Sequence, residues 1–410
     1  MILCEICGVK AHSIRHHIRD GHNDTSWTLT KYKEEFPGAP LLSAEAEEVI
    51  LKAKQSEESK KAAKESVSTL KDESEKVESV SVAPTGGIKT LKRAMKTAFS
   101  LGNIKAAKST RTGLDIMVTC LDRSTVKEPS FIPDHDPGYI FDIEVLKTLL
   151  MGIEFNIPTY LYGHAGLGKS SIFEQIAAAT DRPIRRVQHT VNTEESHIVG
   201  QYVVNQVIDP VSGELKAKTE FQLGDLPIAM MNGEIFMADE YDRAYPSVLS
   251  VYQAVLEGKP LHIKEAPEEL RLIRPHPEFR FVATGNTNGS GDSTGLYQAT
   301  VTQDAATFER FGVVEEITYM PEKQEIAILE SKTNVVNEDA VKIVKFANKI
   351  RHEAYPDSVS LTLGPRVLLN AARIGLGKFD LKAGIKIAYA NRLPEIERKA
   401  AMDLAQRYFG

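Results

Sequence analysis

The sequence predicts an α/β fold: a mainly parallel sheet with helices on both faces, followed by a small helical C-terminal domain. Three observations carry the prediction. Short apolar strand candidates at Thr159–Tyr162, Ile184–His189, Ile235–Ala238, Phe279–Thr284 and Val313–Thr318 alternate with helical patches, the pattern of repeated βα units. Between the first strand and the helical pattern beginning Ser171-Ile172-Phe173 stands Gly163-His164-Ala165-Gly166-Leu167-Gly168-Lys169-Ser170, with the spacing G-x-x-x-x-G-K-S. After Pro321 the text is helical to its end, with helices expected at Glu322–Thr333, Asp339–Glu353, Pro365–Leu376 and Asp380–Ala390.

Bulk properties narrow the class. A chain of 410 residues has room for two or three domains. Its 42% hydrophobic and 26% charged residues are ordinary for a globular protein. A formal net charge of −6 gives no global attraction to nucleic acid or membrane, so any such binding must be local. No apolar run approaches the length of a membrane span. The opening Met1-Ile2-Leu3-Cys4 lacks the basic leader and apolar core of a signal peptide. Of the three cysteines, Cys4 and Cys7 form a C-x-x-C, which in a reducing compartment reads as metal or redox chemistry. A cytoplasmic protein is expected.

In chain order, residues 1–43 form a compact opening unit. Cys4, Cys7, His17 and His22 give C-x2-C-x9-H-x4-H, two thiolates and two imidazoles suited to tetrahedral Zn²⁺. His16 competes with His17 as third ligand. So small a region cannot build a core alone, so Zn²⁺ would be structural. With the following Tyr32-Lys33-Glu34-Glu35-Phe36-Pro37 and Pro40-Leu41-Leu42-Ser43, the segment resembles the zinc finger of the MucR/Ros regulators. That resemblance implies DNA binding, in which Lys10, Arg15, Arg19, Lys31 and Lys33 could meet phosphates. A structural or protein-docking knob is the equal alternative.

Residues 44–87 are Glu, Lys, Ser and Ala with no aromatic, the composition of a solvated helix or charged flexible linker. Residues 88–130 are a locally basic lead-in, where Leu91, Met95, Phe99 and Leu101 are expected to line a short amphipathic helix. Residues 131–320 carry the α/β core, and residues 321–410 the helical lid.

The core holds the chemistry. Glycines let the phosphate loop curl its N–H groups toward a nucleoside triphosphate, and the start of the next helix, with Ser171, adds its positive end. Lys169 can reach the β- and γ-phosphates, and the Ser170 hydroxyl can bind Mg²⁺. Glu234-Ile235-Phe236-Met237-Ala238-Asp239-Glu240 is an apolar strand ending in two carboxylates. Asp239 fits Mg²⁺ support, and Glu240 fits the base that orients the attacking water. Asn286, just past another strand, could bond that water or the γ-phosphate. Arg310 ends a helix before the last strand, aimed at a neighbouring subunit's nucleotide. Arg366 opens a lid helix, where it can sense ATP in its own subunit.

The order phosphate loop, Asp-Glu, Asn, Arg, Arg is similar to the AAA+ ATPases. Within them the text resembles the MoxR-related type that includes the ATPase subunit of aerobic cobaltochelatase. The resemblance rests on Ile132-Pro133-Asp134-His135-Asp136-Pro137 with Phe141-Asp142, and on Asp239-Glu240-Tyr241-Asp242. It rests further on Ile273-Arg274-Pro275-His276-Pro277-Glu278-Phe279-Arg280, Ala283-Thr284-Gly285-Asn286-Thr287 and Gly291-Asp292-Ser293-Thr294-Gly295-Leu296-Tyr297. It implies a hexameric ring, a partner with a von Willebrand A-type domain, and insertions at about Val203–Glu220 and Leu256–Ile273. The expected activity is ATP hydrolysis that remodels a partner or a metal-chelatase-like complex. Two alternatives stand beside it: a nucleic-acid-binding protein whose ATP switches assembly, and a true cobaltochelatase subunit.

Overall fold

The computed structural model describes residues 87–102, 104–109, 111–208, 215–292 and 294–410, and near the N-terminus residues 2–4, 6, 7, 10, 11, 18, 29–37 and 39–41. The chain divides into two units between Ser79 and Val80. In the first, Ile2–Leu3 pairs antiparallel with Lys10–Ala11, and a helix spans Leu29–Glu35. Buried Cys4, Ile18 and Tyr32 form a small cluster, against which Ile6, Leu29 and Phe36 pack.

The second unit opens with β1 (Thr90–Ala94), paired antiparallel with β2 (Met117–Leu121). The helix expected here is therefore a hairpin, with only Met95–Ala98 helical. Leu91 is 45% exposed, while Met95 and Phe99 are buried with Val118 and Cys120 against the main core. Three basic residues of this stretch form ion pairs, Lys92 with Glu154 (3.1 Å), Arg93 with Asp181 (3.0 Å) and Lys96 with Asp115 (2.7 Å).

Next come α1 (Ile143–Glu154), β3 (Thr159–Tyr162), α2 (Lys169–Ala179) and β4 (Ile184–Gln188). Asp142 caps α1 by accepting from the amides of Glu144 and Val145. The antiparallel hairpin of β5 (Gly200–Ile208) and β6 (Leu215–Leu223) then separates a short helical turn from α3 (Asp225–Asn232), at the first expected insertion. The sheet continues with β7 (Ile235–Asp239), β8 (Arg280–Gly285) and β9 (Val313–Glu316). Between β7 and β8, Leu261–His262 pairs with Leu272–Ile273, at the second expected insertion.

All five expected core strands form, parallel throughout, in the order β9-β3-β8-β7-β4. Every residue of β7 is buried because both sheet faces are covered, which is why its text is a continuous apolar run. Alternate side chains feed two cores. Ile235, Met237 and Val282 pack with Leu149, Phe173 and Ile176 on one face. Phe236, Ala238 and Phe281 pack with Leu226, Met230 and Tyr252 on the other.

The C-terminal helices are α4 (Glu322–Thr333), α5 (Asn337–Lys349), α6 (Pro365–Lys378), α7 (Leu381–Ala388) and α8 (Glu395–Phe409). They share their own core around Phe346, Leu368, Ile385 and Tyr389. Four were expected; α8 starts after Pro394 as a separate helix. Among the described residues no helix is long and apolar enough to cross a membrane.

Candidate nucleotide-binding site

Strand order sets the site. Because β8 lies between β3 and β7, the loop after β3, the acidic end of β7 and the tip of β8 meet at one carboxyl edge of the sheet, where open α/β folds bind ligands. The loop needs its glycines. A Cβ on Gly163 (φ +146°) would fall 2.3 Å from the Ile317 carbonyl, and Gly168 (φ +88°) is the left-handed cap of α2. The first amides of α2 have no acceptor within the helix, so the turn Lys169-Ser170-Ser171 offers donors to an anion.

Lys169 Nζ donates to the carbonyls of Gly163 (2.7 Å) and His164 (3.0 Å) and to Asn286 Oδ1 (3.0 Å). Burial pushes this ammonium down to about 8, although Asp242, Asp239 and Glu240 pull the other way.

Ser170 Oγ donates to Asp239 Oδ1 at 2.6 Å, joining the loop to a strand two places away. Asp239 is 3% exposed. Thr284 also donates to its Oδ1, and Arg186 grips Oδ2 through Nε (2.9 Å) and a terminal nitrogen. Burial opposes the charge, but the hydrogen bonds of Ser170 and Thr284 and the Arg186 charge outweigh it, so the carboxyl titrates below its usual range. Glu240 sits in the left-handed region (φ +52°). Its carboxylate accepts from Gln188 Nε2 (3.1 Å) and pairs with Arg243 (2.9 Å).

Asp242 organises the strand tip. Its Oδ2 accepts the amides of Asn286 (2.8 Å) and Thr287 (2.8 Å) and the Thr287 hydroxyl (2.9 Å). The buried Tyr160 hydroxyl donates to the Thr287 carbonyl at 2.8 Å. A Cβ on Gly285 would land 1.8 Å from that hydroxyl and 2.7 Å from Tyr160 Cζ, so glycine is required there.

Beside the loop lies a cavity of about 380 Å³, lined among others by Tyr139, Ile140, Gly166, Gly168, Arg366 and Leu369. Arg366, at the first turn of α6, thus meets the loop. Asp136 and Lys332 pair on the cavity wall, linking the start of the core to the lid. Arg310 behaves differently: its Nε donates to Glu257 (2.7 Å) and a terminal nitrogen to the Ala306 carbonyl (2.5 Å).

The structure therefore gathers Lys169, Ser170, Asp239, Glu240 and Asn286, sets Arg366 at the rim, and leaves Arg310 engaged elsewhere. Sequence reasoning missed Arg186, Gln188 and Thr284. Arg186 and Gln188 alternate on β4, a period-2 signal that gains meaning only from the register Gln188↔Asp239. The oxygens of Ser170 and ionised Asp239 suit Mg²⁺, and the amides with Lys169 suit phosphate. For Zn²⁺, Cys4 is buried and Cys7 exposed near the turn of the first hairpin; His16, His17 and His22 lie outside the described residues. Among the described residues no three His, Cys, Asp or Glu side chains gather into a metal site.

Residues 158–302 match the AAA domain of the dynein-related subfamily. The chain is 32% identical over 289 residues to the aerobic cobaltochelatase subunit CobS of Sinorhizobium sp, covering 69% of this chain and 85% of that one. It is 24% identical over 288 residues to protein NorQ of Paracoccus denitrificans, covering 70% and 96%. With the gas vesicle ATPase GvpN of Haloferax mediterranei it shares 23% over 261 residues, covering 61% and 71%.

Proposed function

The chain belongs to the AAA+ ATPases of the CobS/MoxR type, and we propose that it hydrolyses ATP in a ring of identical subunits to remodel a partner protein. The loop from Gly163 to Ser171, through amides other than that of Ala165, whose N–H the Tyr297 hydroxyl accepts, holds the phosphates together with Lys169. Ser170 and Asp239 hold Mg²⁺, which offsets phosphate charge when bound. Glu240 orients the attacking water and takes its proton, for which its carboxylate must leave Gln188 and Arg243. Asn286 positions that water. Arg310, released from Glu257, completes the site of a neighbouring subunit, and Arg366 couples the γ-phosphate to the lid. Such catalysis is positioning plus charge stabilisation.

The observation that carries this reading is the 2.6 Å contact of Ser170 with Asp239, because it converges two oxygen donors beside the lysine and the loop amides. For the client, we infer a protein with a von Willebrand A-type metal-binding domain, in a hexameric assembly in the cytoplasm. The relative named as a cobaltochelatase subunit supports a chelatase-like task; ATP-dependent insertion of cobalt into a corrinoid ring tests that version. In the N-terminal unit, Cys4, Cys7, His22 and either His17 or His16 are proposed to hold structural Zn²⁺. Exposed Lys10, Lys31 and Lys33 favour a second reading in which this unit binds nucleic acid. Steeply salt-dependent DNA binding, lost on chelation of zinc, is its signature.

The test is Glu240→Gln, expected to hold ATP without cleaving it and so stall on the client. Purified from its native cell with ATP, it should bring down a protein bearing an A-type domain. Nucleic acid without such a protein would move the account to the N-terminal unit. Undiminished hydrolysis in the variant would remove Glu240 from its role.

A further inference from the structure

The segment Gly291-Asp292-Ser293-Thr294-Gly295-Leu296-Tyr297 has no task in the chemistry above. Its fold is set by Asp292. Oδ1 accepts from the Thr294 amide (2.8 Å) and hydroxyl (2.7 Å), and Oδ2 accepts from the Tyr297 amide (2.6 Å). Gly291 (φ +80°) and Gly295 (φ +76°) supply the left-handed turns this requires. Further on, the Val301 amide donates to the Asp242 carbonyl at 2.7 Å, returning the chain to the residue that holds Asn286.

This folding delivers a phenol to the phosphate loop. The Tyr297 hydroxyl accepts the N–H of Ala165 at 3.1 Å and lies 2.9 Å from His164 Nδ1. An amide can only donate, so the phenol proton is available to Nδ1 of a neutral His164, giving the chain Ala165 N–H to Tyr297 O–H to His164. Around the imidazole stand Lys169, Glu316, Tyr297, Tyr319 and Tyr355, with Arg351 lying over the Tyr319 ring. Burial first, then the Lys169 charge, pushes the imidazole down against the pull of Glu316, which keeps it neutral near pH 7.

We propose that Tyr297 is a positioning residue of the ATPase site, tying the first half of the phosphate loop to the segment 291–303 so that phosphate occupancy and the state of that segment are linked. The inference deepens, and rests on, the nucleotide-site reading above. Lys169 braces the carbonyls of Gly163 and His164. The Tyr297 hydroxyl braces the same turn at residues 164 and 165, through one ring nitrogen and one amide.

The experiment measures ATP binding and hydrogen–deuterium exchange of the full chain, wild type and Tyr297→Phe, with a non-hydrolysable ATP analogue. Wild type is expected to gain protection in residues 163–168 and 291–303 together on binding. Tyr297→Phe should weaken binding by about two- to tenfold for each of the two hydrogen bonds the hydroxyl loses. It should also uncouple the two segments, so that 163–168 responds and 291–303 does not. The ¹⁵N signal of His164 Nδ1 should lose its accepted hydrogen bond in the same variant. Asp292→Asn, which unties the segment without touching the loop, should reproduce the uncoupling and serves if Tyr297→Phe folds poorly. Binding intact in both variants with both segments still responding overturns the inference alone. A wild-type chain that binds no ATP overturns the nucleotide site and this inference together.

Discussion

Asp239 ends β7 and Arg310 lies in the turn after the short helix Ala305–Phe308, and the two are held in opposite ways. Asp239 is buried and engaged by Ser170, Thr284 and Arg186, whose hydrogen bonds come from three different elements. Arg310 is about a quarter exposed and answered by Glu257, itself about a third exposed. A buried, multiply bonded carboxylate is expensive to disturb, whereas a surface ion pair of this kind contributes about 0–1 kcal/mol. The Asp239 corner is therefore finished inside the chain. The Arg310 pair is held loosely enough for the arginine to be released, as its proposed role in a neighbouring site requires.

The strongest way to break this comparison is Arg310→Ala. If the arginine serves a neighbouring site, turnover should fall about 10³-fold or more while ATP affinity stays unchanged, read by steady-state kinetics and equilibrium binding. Unchanged turnover with a lowered melting temperature would make Arg310 a structural ion pair instead. Next in size is the pH dependence of Lys169. Its ammonium is charged below about 8 and neutral above it, so ATP affinity should hold at pH 7 and fall by about tenfold per unit well above pH 8. Calorimetry in two buffers should show proton uptake on binding in that range. Arg186→Ala should then destabilise the fold by about 1–3 kcal/mol, because Asp239 keeps its burial and loses its cation, as measured by denaturant melts. Smallest is Glu257→Gln, expected to change stability by about 1 kcal/mol or less. An effect larger than that of Arg186→Ala would invert the contrast between the two corners.

Much of this was legible because the signals are local. The five strands and the phosphate loop announce themselves within a few residues each, and Glu322–Thr333 starts directly after Pro321 as expected. What failed to show was made by partners distant in sequence. Thr90–Ala94 looks helical until Met117–Leu121 pairs with it. Arg186 and Gln188 gain meaning only from the register that sets β4 against β7. Asp242 could be quoted as part of a motif, but its hold on Asn286 and Thr287 comes from a strand that arrives forty residues later. Tyr297 and Asp292 were visible as unusual text, with no local cue to the loop they would reach.

The fit of Tyr160 against Gly285 has a consequence for descent. A methyl at 285 collides with both the hydroxyl and the ring carbon that carries it, so removing the hydroxyl alone would not make room. Any lineage exchanging glycine for alanine at this strand tip must first shrink the side chain at 160, and any lineage acquiring tyrosine there must already carry glycine. The two positions are thus expected to change in a fixed order, and each preserves a trace of the other's history.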